Sequence, residues 1–188
     1  MLAASSPDIS AYVLSGVGTY LSETIVHRTN PFDVPKLLGS LLGITGPIDR
    51  FHPAIALVQM AGEVVDPNNH LAAFRGWKGH PEGSHVLILD GKKDLDVYYT
   101  SMHALVIGLD AAPIAPAGWD VDPFGVWSRQ AEMLPLSANR NSLAGTPLTM
   151  AAWLDANDDH YVLWNSARAR ELARDFIAGA STGTPTIR

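Results

Sequence analysis

The chain has 188 residues, 47% of them hydrophobic, a formal net charge of -6 and no cysteine. That length buries one substantial core and is too short for two comfortable ones, so a single domain or part of one is expected. Only 13 lysines and arginines are spread along the sequence; they form no basic stripe for phosphates, which argues against nucleic acid as a partner, and without cysteine there is no disulfide framework, thiolate chemistry or Cys-ligated zinc.

The opening Met-Leu-Ala-Ala-Ser-Ser-Pro has neither the charged start nor the apolar core of a secretory signal. No stretch approaches the roughly 18 apolar residues of a membrane span, and the compartment stays open. Ala11 to Leu14 is the first apolar run, stopped by Ser15-Gly16. About seventy residues separate it from the next run, far more than a plain crossover needs, which predicts a helical, cap-like insertion over residues 30–80. Within it Val34 to Leu42 is apolar at helical spacing, His52-Pro53 opens a helix through Gln59 to Glu63, and Asp66-Pro67 starts a short helix with Asp as N-cap and Pro at the first helical position.

The second run, His85 to Leu89, stops at Asp90-Gly91. Thr100 to Leu109 then reads as a helix whose Ala104, Leu105 and Ile107 cover the sheet, and Trp119 to Asn141 is loop-like. The third run extends from about Leu148 to Leu154 and ends in Asp155-Ala156-Asn157. Ser166 to Ala178 places Ala169, Leu172, Ala173, Phe176 and Ile177 on one face of an amphipathic helix, which Gly179 closes. Runs apolar on both faces, each followed by helical periodicity, predict an α/β protein with an incomplete doubly wound, mostly parallel sheet.

Two positions can carry chemistry. Leu89 to Asp94 is a strand entering a glycine turn that delivers a carboxylate just past the strand end, where open α/β sheets place functional groups. Such an aspartate orients a histidine, binds a metal, caps a helix, or is simply a solvated turn residue. His160 follows the third strand in the string Asp159-His160-Tyr161. If the two strands are neighbours, both loops open on one rim and Asp94 can fix the tautomer of His160, leaving the other imidazole nitrogen to take a proton from a hydroxyl.

These residues resemble the C-terminal half of an α/β-hydrolase of the bacterial esterase or lipase type. Ala11 to Gly18, containing Val-Leu-Ser-Gly, resembles the strand soon after the nucleophile helix, and Pro53 to Ala73 resembles the helical region that follows it. The Gly-x-x-Asp ending of His85 to Asp94 is similar to the acid loop, and Asp159 to Val162 with the helix ending in Phe176-Ile177 is similar to the histidine loop and final helix. The resemblance implies that Asp94 is the triad acid and His160 the general base, in the chain order this fold uses. Two departures stand out: Asp159 occupies a place where Gly often precedes the histidine, and Asp96 offers a second carboxylate to which the acid role could slip.

The nucleophile expected on a Gly-x-Ser-x-Gly turn is missing. Ser15 sits at a strand end, but Val13 and Val17 occupy the required glycine positions, and Ser40 and Ser84 fail the same test. The resemblance puts the elbow upstream of Met1, with Leu2 to Ser6 as the tail of its helix. A truncated enzyme is therefore expected, inactive alone, with a raw sheet edge and a need for its N-terminal piece as partner.

Competing motifs are weaker. Gly16-x-Gly18 lacks the third glycine of a dinucleotide fingerprint, since position 21 is Leu. Asp155-x-Asn157-x-Asp159 opens like a calcium loop but has His160 at its sixth position and Ser166 at its twelfth. The seven histidines show no His-Glu-x-x-His pattern, so neither metal nor cofactor is expected. Trp77, Trp119, Phe124, Trp127 and Trp164 read as packing residues, some of which could line an acyl or aromatic pocket. The expectation is thus the Asp and His portion of a serine ester hydrolase acting on a small-molecule or lipid ester; the alternative is a non-catalytic binding module on the same scaffold.

Overall fold

In a computed structural model the described residues are 6–122, 125–128 and 130–188; Phe124 and the Leu2 to Ser5 part of the expected helix tail lie outside them. In chain order the elements are β1 (Ala11–Ser15), α1 (Leu21–His27), α2 (Val34–Leu42), α3 (Pro53–Gly62), a 3-10 helix (Pro67–Arg75), β2 (His85–Gly91), α4 (Tyr99–Gly108), β3 (Ala112–Pro113), β4 (Arg140–Asn141), β5 (Pro147–Leu148), β6 (Met150–Asp155), α5 (Val162–Asn165) and α6 (Ala167–Ala180). The architecture is α/β. A four-stranded sheet in the order β1-β2-β6-β3 has parallel pairing throughout, and β4 with β5 forms a small antiparallel ribbon.

The central strand explains the packing. Val86, Leu87, Ile88 and Leu89 are all fully buried, and period-2 alternation sends them to opposite faces. Val86 and Ile88 join Met102, Leu105, Val106 and Leu109 of the α4 region, whereas Leu87 and Leu89 join Leu172, Ala173 and Phe176 of α6. A strand with helices on both sides has no solvent face, so its sequence reads as a continuous apolar run. No helix among the described residues is long and apolar enough to cross a membrane.

Several boundaries follow local chemistry. The side chains of Asp33, His52, Asp66 and Ser166 each accept a backbone N–H of the helix they precede, and proline occupies the first turn after the first three. The segment after Asp66 winds as a 3-10 helix through Arg75. The expected third strand divides at Thr149, whose N–H donates to His85 Nδ1 at 3.0 Å and whose hydroxyl donates to the Pro185 carbonyl at 2.7 Å. Leu148 consequently pairs with Arg140 in the ribbon, and β6 begins at Met150. α6 does not stop at Gly179 but continues to Ala180; Gly179 is there because it lies against Pro185, where an added Cβ would come within 2.8 Å of the proline Cα.

The phase of α4 also differs from the expected one. Ser101, Met102, Leu105 and Val106 face the sheet, turning Ala104 and Ile107 outward. Ile177 of α6 is likewise exposed. α1 is only seven residues long, and its first N–H groups are satisfied from a distance. Asp66 accepts from Tyr20 and Leu21 at 3.1 and 2.8 Å, and Gln59 Oε1 accepts from Ser22 at 2.8 Å. Burial opposes ionisation of Asp66, but the bonds from Gln59 and the amides of Leu21, Asn68 and Tyr20 outweigh it and hold its pKa below the usual value. Asp66→Ala strands three amides at once and is expected to cost about 3 kcal/mol in urea unfolding; a loss below about 0.5 kcal/mol would show that α1 does not depend on this cap.

Candidate active-site dyad

β2 and β6 are adjacent and parallel, with Gly91 opposite Asp155, so the loops leaving them open on the same rim. They touch through their backbones: Lys92 N–H donates to the Asp155 carbonyl and Lys93 N–H to the Asp158 carbonyl, both at 2.9 Å. The contact is close enough to demand glycine at position 91, where a Cβ would stand 2.3 Å from the Asp159 carbonyl oxygen and 2.5 Å from that of Asp158.

The Asp94 side chain is completely shielded from solvent. Its Oδ1 accepts the amides of Asp96 at 2.7 Å and Val97 at 2.8 Å. The other oxygen, Oδ2, meets Nδ1 of His160 at 2.8 Å. Two backbone donors therefore fix the carboxylate and aim its free oxygen at the imidazole. With the carboxylate on Nδ1, the neutral ring carries its proton there and presents Nε2 as an acceptor. Nε2 has no hydrogen-bond partner among the described residues, and about a third of the His160 side chain is solvent-exposed. The arrangement can hold a tautomer and accept a proton from a hydroxyl brought to Nε2.

Asp96 does not compete for the imidazole. Its two oxygens take Arg28 Nη2 and Asn30 Nδ2, each at 3.3 Å, and tether the segment after α1 to the acid loop. Asp94, Asp96 and His160 do bring ligand atoms within 4.8 Å of one another. The carboxylates are, however, already engaged by amides, by the imidazole and by the Arg28 and Asn30 side chains, so a cation would have to break that network.

The turn after β1 forms the other wall. Gly16 has φ +62, and a Cβ there would lie 2.7 Å from the His160 carbonyl oxygen and 2.9 Å from Nδ1; this close approach, not a phosphate, accounts for the first glycine of Gly16-x-Gly18. Gly18 packs equally closely on the Ser101 side chain. The turn is held by Asp90, whose Oδ1 accepts Val17 N–H at 3.3 Å. Asp90 is wholly buried with Oδ2 unpartnered. Burial raises its pKa well above the ordinary carboxylate value, and the neighbouring Asp94 charge adds to that against the amides of Val17 and Gly16. In the sequence Asp90 stands only as the end of the second apolar run, although a carboxylate inside an otherwise apolar strand is the kind of signal that marks a functional residue.

The remaining candidates fall elsewhere. Ser15 ends β1 beside Leu89, Ser40 is exposed on α2, and Ser84 donates to the Ile9 carbonyl while bonded to buried His80 at the opposite end of the sheet. The acids of the false calcium loop cap turns: Asp155 accepts from Asn157 N–H, and Asp159 from Tyr161 N–H, both at 2.9 Å. Trp119 is buried, Trp127 donates its indole N–H to Asp110 at 3.2 Å, and Trp77 and Trp164 are exposed.

Gly16→Ala introduces both a strained φ and a clash with the imidazole. It is expected to destabilise the fold by about 2 kcal/mol and to remove the downfield Nδ1 proton resonance of His160; a retained resonance would mean that the turn does not seat the ring. For Asp90, the folded state keeps a proton that the unfolded chain releases above about pH 4. Stability therefore falls as pH rises from there through the raised folded-state pKa. Asp90→Asn cannot ionise, so its melting temperature should gain on the parent's as pH increases; parallel pH profiles would contradict a buried, protonated Asp90. No protein-family model, curated protein or solved structure matches the chain.

Proposed function

We propose that this chain carries the acid and base of a serine-dependent carboxylic ester hydrolase of the α/β-hydrolase type, with the nucleophile supplied by a further segment. The observation that carries the reading is the 2.8 Å contact between His160 Nδ1 and a buried Asp94 whose other oxygen is bound by two backbone amides. The acid and the base also leave consecutive neighbours of one parallel sheet in the order acid, then histidine.

The chemistry then runs through His160 Nε2. It takes the proton of the serine hydroxyl as the oxygen attacks the ester carbonyl, and Asp94 stabilises the imidazolium that forms. The imidazolium returns that proton to the departing alcohol as the tetrahedral intermediate collapses to the acyl-enzyme. Water, deprotonated by the same nitrogen, releases the acid.

Two further observations support a missing neighbour. Among the described residues β1 pairs with β2 alone, so its outer edge presents free backbone groups of a parallel strand. The helices between β1 and β2 expose Leu37, Leu41, Leu57 and Met60, an apolar surface suited to a cap over a substrate or to a covering segment. An added parallel strand on β1 would complete the doubly wound sheet and bring the serine and the oxyanion donors to the rim where His160 stands.

The coding sequence ahead of Met1 is expected to contain an in-frame Gly-x-Ser-x-Gly, and the longer protein to hydrolyse p-nitrophenyl esters. In that protein His160→Ala and Asp94→Asn should each lower kcat by a factor of about 10³–10⁴ or more, whereas Asp96→Asn should stay within a few-fold. Full activity of His160→Ala would refute the general base. Turnover by the 188-residue chain itself would place the nucleophile inside this sequence.

A further inference from the structure

Between the outward face of α4 and the segment that follows β1 lies a cavity of about 880 Å³, within the roughly 300–1,000 Å³ range of small-molecule sites. Its walls include the rings of Tyr20, Phe51, Tyr99 and His103, closed by Ile107 and Val121. The outward turn of Ile107 supplies one wall; the helix phase that removes it from the core places it here.

The Tyr20 backbone is strained. A bulky aromatic residue rarely adopts positive φ, yet Tyr20 has φ 58. Burial of its ring does not compensate, since Tyr20 is 42% exposed. The conformation is held instead by Asp66, which accepts the Tyr20 and Leu21 amides and is itself bonded by Gln59 Nε2 at 2.7 Å. Strain maintained by so specific a clamp, at a residue whose ring lines a cavity, is the pattern of a ligand contact.

Position links the cavity to the dyad. Tyr20 follows Gly16, the neighbour of His160, by four residues, and Tyr99 follows Asp94 by five. At the reach of an extended chain both walls start within about 14–18 Å of the dyad.

The charge in the wall selects the ligand. Glu23 and Arg50 neutralise each other at 3.0 Å, and Thr100 donates its hydroxyl to Glu23 at 2.6 Å. Asp122 spends its carboxylate on the amides of Val126, Trp127 and Ser128. Two carboxylates against the single Arg50 leave the wall net negative, so an anion is repelled. Burial lowers the pKa of His103, which keeps that ring neutral too, and the ring packs edge-on to Tyr99 at 5.2 Å. Four rings in such a wall favour an aromatic guest without negative charge through stacked and edge-to-face contacts.

We propose that this cavity binds an aromatic, non-anionic portion of the substrate, so that the site acts on aryl or arylalkyl esters; this rests on the ester-hydrolase reading for the reaction, and on the cavity alone for the binding. The test uses the chain as it stands and a probe that cannot be hydrolysed, 2-acetonaphthone, followed by amide chemical shifts. Saturable shifts are expected at Tyr20, Tyr99, His103 and Ile107, with 2-naphthoate and 2-octanone binding about tenfold more weakly. Ile107→Asp, on an exposed helix face, and Tyr20→Gly, which fits φ 58 without strain, should each weaken the ketone by about tenfold.

Shifts that ignore both cavity variants overturn the site. Equal binding of naphthoate overturns the exclusion of anions, and equal binding of octanone overturns the aromatic preference. The two readings fail separately. Ketone binding in the cavity without ester hydrolysis by the longer protein sinks the triad alone, whereas hydrolysis of 2-naphthyl acetate with KM unmoved by Tyr20→Gly sinks the cavity alone.

Discussion

Everything at the rim depends on the parallel pairing of β2 with β6. That register sets Gly91 against Asp155 and brings two loops into backbone contact, and the contact fixes the approach of Asp94 to His160. The pairing is secured lower down, where four consecutive buried side chains of β2 anchor it to helices on both faces. A one-residue slip would reverse those faces and separate the dyad. Core and site are thus one constraint viewed at two heights along the same strands.

Around the dyad, charge is arranged in tiers. Two amides and an imidazole engage the Asp94 carboxylate, while burial and an unpartnered oxygen push the pKa of Asp90, inside β2, well above the ordinary value. A neutral Asp90 spares Asp94 a buried like charge and still accepts the Val17 amide that shapes the turn beside His160. Asp96 completes the group by tethering Arg28 and Asn30 rather than by meeting the ring. Three carboxylates within seven residues take three roles, and their environments assign them.

The parts legible in the sequence were those written locally. Apolar runs gave β1, β2 and most of β6, and Asp66-Pro67 and Ser166 announced the helices they cap. Asp94 and His160 were readable as a pair because strand order places both loops on one edge. What escaped was written across distance. α1 is only seven residues long and is capped by Asp66 and Gln59, about forty residues away. β3 is two residues long and contains proline, so only its position at the sheet edge beside β6 makes it a strand. The phase of α4 was misread because Ser101 is turned inward by its hydroxyl bond to the Thr19 carbonyl, an interaction that a hydrophobic pattern does not register.

The same distance effects connect the proposed chemistry to the proposed pocket. Asp66 holds Tyr20 in its strained conformation, Asp90 holds the turn four residues earlier, and the segment between them runs from the imidazole to the aromatic cavity. The central claim is that His160 activates a serine that is not in these 188 residues. Fluorophosphonate labelling of the longer protein, read by peptide mass spectrometry, tests it most directly, because the reagent marks only an activated serine. One phosphonylated serine outside this sequence, lost in His160→Ala, is the expected result; a label on a serine within the sequence, or labelling that survives loss of His160, would contradict the account.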